Sequence, residues 1–218
     1  MNCCYIFGAL DCGNVQLNMD KSDIIIAADA GLKSLKRLGL EPDYIVGDFD
    51  SLEFTPIGNN VIKHPVMKNE TDTILAIDIG FEKGYKKFII YGCIGGRLDH
   101  TYANIQTAAY VANKGGNAIF CSDQENFTVI KNNSITFSKE CNGNVSVFAH
   151  SCEAKGVTEK GLLYEIENAT LSANYPLGVS NEFIGKEARI YVSDGTLCII
   201  WNNQNGTYKI GGHEYEEK

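Results

Sequence analysis

The strongest constraint on the fold is a change of texture near residue 121 of this 218-residue chain. Before it, short runs rich in β-branched and aromatic residues occur at 5–10, 24–28, 44–46, 61–64, 88–91 and 118–121, with helix-patterned stretches at 30–38, 71–81 and 101–112 between them. Parallel strands need long crossovers, usually helices, so this alternation predicts a parallel sheet. Leu32, Leu35 and Leu38 carry the helical spacing of the first stretch, which Gly39 closes, while Gly115-Gly116 closes the third. After Cys121, β-like runs at 127–131, 135–137, 145–149, 162–166, 189–192 and 197–201 follow with no helix between them, and Asp194-Gly195 reads as a type I′ hairpin turn.

The expected architecture is an α/β N-terminal domain over residues 1–122, with a mainly parallel, Rossmann-like sheet, followed by an all-β sandwich C-terminal domain over 123–218. A hydrophobic content of 44% is enough to fill such cores. Nineteen basic residues face 27 acidic ones, a formal charge of −8. A nucleic-acid groove needs a surplus of Lys and Arg, so nucleic acid is not an expected partner, and phosphates would have to be bound through a cation. The eight cysteines are scattered without a CxxC pair, and the start Met-Asn-Cys-Cys-Tyr-Ile-Phe has no basic region or cleavage site. The reading is therefore a cytoplasmic protein with neither a disulfide framework nor a zinc site. No apolar run approaches the roughly 20 residues of a membrane span.

Ligands of parallel α/β sheets bind beyond the carboxyl ends of the strands. Asp29 follows Ile-Ile-Ile-Ala-Ala, Asp48 and Asp50 follow Tyr-Ile-Val-Gly, Asp72 lies in the loop after the 61–64 strand, and Asp99 in the loop after the 88–91 strand. Each aspartate alone reads as a turn former or helix cap, as Asp29 and Asp72 do best. Five on one rim read differently, because their mutual repulsion calls for a cation, and Mg²⁺ suits carboxylates plus phosphates. Asp48 and Asp50 form the expected centre, with Gly47 giving the backbone freedom to aim both. In the loop Gly92-Cys-Ile-Gly-Gly-Arg-Leu-Asp-His100, Gly95 and Gly96 free backbone N–H groups, Arg97 can fork onto a phosphate, and His100 either touches the nucleotide or serves the helix start. Gly8 to Gly13 has P-loop-like glycines but no Lys or Ser/Thr to engage phosphate, and neither a dinucleotide fingerprint nor a nucleophile elbow is present.

Asp29-Ala-Gly, Pro42-Asp-Tyr-Ile-Val-Gly-Asp-Phe-Asp-Ser-Leu52, Lys68-Asn-Glu-Thr-Asp-Thr73 and Gly95-Gly-Arg-Leu-Asp-His100 together resemble the motif set of the thiamine pyrophosphokinases. Gly161-Leu-Leu-Tyr164 and Leu177-Gly-Val-Ser-Asn181 are similar to that family's β-sandwich motifs. The resemblance implies pyrophosphoryl transfer from ATP to thiamine, in a homodimer whose active sites are shared between subunits. It places Asp48, Asp50, Asp72 and Asp99 at the magnesium and phosphate site, Asp29 at its edge, and Arg97 and the glycines on the nucleotide phosphates. Ser180 and Asn181 match a thiamine-holding motif, Phe183 is the expected stacking aromatic, and Trp201 is the alternative. Asp72 or Asp99 could accept the hydroxyl proton. Two other readings stand beside this one: a magnesium-dependent phosphohydrolase, whose nucleophile after the first strand would be Asp11, and a nucleotide or thiamine sensor without turnover.

Overall fold

The computed structural model describes residues 2–47, 58, 60–63, 70–202 and 206–216. Asp48, Asp50 and the 64–69 stretch lie outside the described residues. The chain divides into two compact units, Met1–Thr107 with Ala118–Asp123, and Ala108–Asn117 with Gln124–Lys218.

The first unit runs β1 (Cys3–Phe7), β2 (Ile24–Ala28), α1 (Gly31–Leu38), β3 (Tyr44–Gly47), β4 (Val61–Lys63), α2 (Asp72–Glu82), β5 (Lys87–Tyr91), α3 (Leu98–Asn113) and β6 (Asn117–Cys121). Its strand order is β6-β5-β1-β2-β3-β4. The ladders from β5 to β4 are parallel, with Cys4 opposite both Ile24 and Phe88. All five residues of β1 are buried, as expected for a strand covered on both faces. Ile6, Phe7, Ile26, Phe88 and Ile90 have essentially no exposed surface. The apolar stripe of α1 buries Leu32 and Leu35, and Gly39, at φ 69°, ends the helix with its N–H directed at the carbonyls of Leu35 and Lys36. Helix α3 starts at Leu98, three residues before the expected position, so Asp99 lies in its first turn.

The second unit adds β7 (Glu125–Lys131), β8 (Ser134–Phe137), β9 (Asn144–Ala149), β10 (Glu153–Lys160), β11 (Ile166–Ser172), β12 (Gly178–Glu182), β13 (Ala188–Tyr191), β14 (Thr196–Asn202), β15 (Thr207–Ile210) and β16 (His213–Glu216). These strands form two antiparallel groups, ordered β12-β9-β14-β7 and β11-β10-β13-β8-β15-β16. Their inner faces meet at Phe137, whose ring lies 5.3 Å from Trp201 and 5.0 Å from Phe183, with Tyr208 5.1 Å from Trp201.

Two expectations fail here. Of the expected strand at 162–166 only Ile166 is in one, as the start of β11: Leu162 makes a single antiparallel bridge to Phe183 within a bend, and the regular strands β10 and β11 lie on either side. Gly161 explains the bend, since at φ 75° a side chain there would strike the Glu187–Ala188 backbone. Asp194-Gly195 is not a hairpin turn either, because β13 pairs with β10 and β8 while β14 pairs with β7 and β9. Only Gly195 has positive φ, whereas a type I′ turn needs it at both positions. Among the described residues, no helix is long and apolar enough to cross a membrane, and none of the eight cysteines is in a disulfide.

Candidate active site

The chain places β2, β3 and β4 on one side of β1 and β5 on the other, so the loops leaving β1 and β5 diverge at a topological switch point, where α/β sheets bind ligands. A cavity of about 630 Å³ opens there. Its floor is Gly8-Ala9-Leu10 after β1 and Gly92-Cys93 after β5. The two loops are tied by hydrogen bonds from Gly8 N–H to Tyr91 O at 2.8 Å and from Leu10 N–H to Gly92 O at 3.0 Å. Gly92 is required, for at φ 69° a Cβ would lie 2.5 Å from the Leu10 carbonyl and 2.8 Å from that of Gly8. Sequence reasoning set Gly8 aside with the rejected P-loop; the strand-end rule applied to β1 would have kept it.

Of the five aspartates expected at strand ends, Asp29, Asp72 and Asp99 fall on described residues, and all three line this cavity, together with Arg97 and His100, while Asp11 does not. These three stand where the strand ends place them, and Asp11, the nucleophile of the hydrolase reading, is tied elsewhere. Asp29 holds a left-handed conformation at φ 51°, its N–H bonded to Val46 O at 2.8 Å. A Cβ on Gly47 would lie 3.2 Å from Asp29 Cα and 3.6 Å from Asp72 Oδ1, so the end of β3 meets both aspartates one residue before Asp48. Thr71 fixes the approach of Asp72: its Oγ1 accepts from Ile74 N–H at 3.3 Å and caps α2. Asp11 instead pairs with Arg37 at 2.8 Å and accepts from Gly13 N–H at 3.1 Å.

Arg97 forks onto Asp99, Nε to Oδ1 at 3.1 Å and Nη2 to Oδ2 at 2.6 Å, with both side chains exposed. The guanidinium holds the Asp99 carboxyl below its ordinary range, which weakens it as a proton acceptor, and the carboxylate raises Arg97 in turn. Asp99 Oδ1 also accepts from His100 N–H at 3.0 Å. Gly95 lines the cavity and exchanges hydrogen bonds with Thr101 Oγ1, while Gly96, at φ 64°, packs toward Leu10. Two contributors were missed in the sequence. Asn104 is buried and donates to Cys93 O at 2.8 Å, holding the floor, and Cys93 faces Thr73 Oγ1 at 3.8 Å. Burial pushes the Cys93 thiol up to about 11, so it is not a nucleophile. Among the described residues no three His, Cys, Asp or Glu side chains form a metal-holding group; Asp48 and Asp50, the expected centre, lie outside them.

In the second unit, Ser180 is exposed at φ 59°, at an irregularity of the β12–β9 ladder, with its N–H on Ser146 Oγ at 3.0 Å. Asn181 is buried and its amide is fully engaged. Oδ1 accepts from Tyr164 N–H at 3.0 Å and Glu182 N–H at 2.9 Å, while Nδ2 donates to Tyr164 O at 2.6 Å and Glu159 Oε2 at 3.0 Å. It positions the Tyr164 segment. Phe183 is not available for stacking, since it is buried against Phe137, and Trp201 is buried in the same cluster. The exposed aromatic beside Asn181 is Tyr164, whose place in Gly161-Leu-Leu-Tyr164 gave the available signal.

Residues 15–120 match the family model described as thiamin pyrophosphokinase, catalytic domain, and residues 132–197 match thiamin pyrophosphokinase, vitamin B1 binding domain. The chain belongs to the thiamine pyrophosphokinase family. A relative named thiamine pyrophosphokinase from Bacillus subtilis (strain 168) is 27% identical over 189 residues, covering 83% of this chain and 88% of the relative. The crystal structure of thiamine pyrophosphokinase from Bacillus subtilis superposes with a TM-score of 0.80 at 21% identity, covering 94% of this chain and all of that one. Thiamin pyrophosphokinase from Candida albicans gives 0.70 at 18% identity, covering 93% and 89%. At those identities the structural likeness speaks for the fold, while the matched family models take in Asp29, Asp72, Arg97 and Asp99 of the cavity and the Ser180 segment alike.

Proposed function

We propose that the chain transfers a pyrophosphoryl group from ATP to the hydroxyethyl oxygen of thiamine, giving thiamine diphosphate and AMP. The observation that carries the proposal is the convergence of Asp29, Asp72, Arg97 and Asp99 on one switch-point cavity in a chain of this family. The cavity is of the size ligand sites usually have, roughly 300–1,000 Å³.

The substrate oxygen attacks the β-phosphorus, the bond from that phosphorus to the α-β bridging oxygen breaks, and the hydroxyl proton leaves. Negative charge grows on the equatorial oxygens, and Arg97 is placed to meet it once a phosphate competes with Asp99 for the guanidinium. The glycine-rich Gly92–Gly96 loop and the first turn of α3 would bring backbone N–H groups to the same anion, those of Gly95 and His100 on release from Thr101 Oγ1 and Asp99 Oδ1. Asp72 is the better candidate to receive the proton, because Arg97 depresses Asp99.

The rim offers the carboxylates of Asp29, Glu70, Asp72 and Asp99 with His100 beside them, a largely oxygen donor set that suits a hard divalent cation. Asp48 and Asp50, with Asp72 and Asp99, would hold Mg²⁺, which when bound supplies charge neutralisation of the phosphates. In the second unit Ser180 and the Tyr164 face would hold thiamine, and a homodimer sharing its sites between subunits would join the two halves. A cytoplasmic setting suits the eight unbridged thiols, of which all but Cys152 are buried.

Asp48→Asn tests the reading. Loss of thiamine diphosphate formation with an unchanged melting curve is expected, and full retention of turnover would overturn it. The hydrolase alternative loses support from Asp11, whose carboxylate is engaged by Arg37 away from the cavity.

A further inference from the structure

The second unit contains a buried acid that the proposed chemistry leaves unused. Glu159, on β10, is 2% exposed. Its Oε2 accepts from Asn181 Nδ2 at 3.0 Å, but Oε1 is buried with no hydrogen-bond partner. An unpaired buried carboxylate oxygen is costly, and native folds keep one where a ligand or solvent completes it. Glu159 also lines a cavity of about 100 Å³ whose other walls include Tyr164, Ile166, Leu171, Leu177 and Val179. That space is several times what one water needs. Its walls are apolar apart from Glu159, Asn181 and Tyr164, and Asn181 has no hydrogen-bonding capacity left.

We propose that this cavity receives the amino group of a flat nitrogen heterocycle, with Glu159 Oε1 accepting its N–H and the apolar walls packing on the ring. Resting on the reading of thiamine as acceptor, the group is the exocyclic amine of the thiamine pyrimidine, and Glu159 becomes a specificity-determining residue for that substrate. Burial raises the carboxyl to about 6, against the lowering effect of the Asn181 amide. At pH 7.5 it is therefore mainly ionised and accepts only. The apolar surroundings favour a donor on a ring over a strongly hydrated free cation. Asn181 links the parts: one amide braces Glu159 and clamps both backbone groups of Tyr164, so the carboxylate and the cavity wall are set together.

The test is calorimetric titration of the full chain at pH 7.5 with thiamine and with the analogue carrying hydrogen in place of the exocyclic amine. Wild type is expected to bind thiamine roughly ten- to hundredfold more tightly, the usual scale of one charge-assisted hydrogen bond. Glu159→Gln directs its amide oxygen to Asn181 and leaves N–H donors facing the cavity, so the ratio is expected to fall to about one or invert. Circular dichroism establishes that the variant is folded. Equal affinities in wild type, as for a cavity holding solvent only, or an unchanged ratio in Glu159→Gln, overturn the inference while leaving the proposed reaction standing. Failure of wild type to bind thiamine at all overturns the underlying reading and this one with it.

Discussion

The guanidinium of Arg97 closes on the carboxylate of Asp99, two residues away, through two hydrogen bonds of 3.1 and 2.6 Å at the rim of the switch-point cavity. Such a fork is the geometry that binds a phosphate, here occupied by a neighbour. Because both groups are exposed, the pair adds little to stability. Arg97→Ala is expected to lower kcat/KM for ATP by roughly a hundredfold with an unchanged melting midpoint, and Arg97→Lys to recover only part of the loss. Steady-state kinetics beside a thermal melt separate this from a purely structural role.

Gly92 gives the opposite pattern. Alanine there must adopt a left-handed conformation with its Cβ against the Leu10 and Gly8 carbonyls. Gly92→Ala should cost about 2 kcal/mol or more in urea unfolding, with activity falling as the floor of the cavity shifts.

Glu159 yields a stability prediction independent of any ligand. Its carboxyl rises from 4.5 to about 6 on folding, chiefly by burial. The folded state thus holds the proton more tightly, and stability from this group is full below pH 4.5 and is lost as pH rises through 6. Glu159→Gln should therefore be the more stable protein at pH 8, by about 2 kcal/mol, with the difference gone near pH 4. Urea titrations at both pH values check the sign.

Phe183 and Tyr164 should separate core from surface. Phe183→Ala empties a site packed on Phe137 and should cost roughly 3–5 kcal/mol. Tyr164→Ala alters an exposed ring and should leave folding nearly intact while raising KM for thiamine. A variant that leaves KM unchanged would remove Tyr164 from the acceptor site.

Much of the first unit was legible because its signals are local. The all-apolar Ile24–Ala28 run, the leucine stripe ending at Gly39, and the aspartates after each strand depend on neighbours in sequence. The second unit was read less well. Strands β10 and β11 carry Lys, Glu and Asn on exposed positions and lack a clean alternation, so neither was expected. Asp194-Gly195 has hairpin composition, yet pairing of its flanking strands with different sheets decides the backbone there. Phe183 was misplaced for a related reason: its motif position is visible in sequence, but burial against Phe137, 46 positions earlier, is not. The site followed the same division. Asp29, Asp72 and Asp99 could be placed from strand ends, whereas Asn104 and the Glu159–Asn181 contact depend on tertiary packing.

The central claim is that this chain makes thiamine diphosphate, and the direct measurement is chromatographic analysis of purified protein incubated with ATP, Mg²⁺ and thiamine. The account predicts AMP and thiamine diphosphate in equal amounts, with no AMP when thiamine is omitted and none when the metal is chelated. Release of inorganic phosphate without thiamine, or binding of both substrates without product, would contradict it.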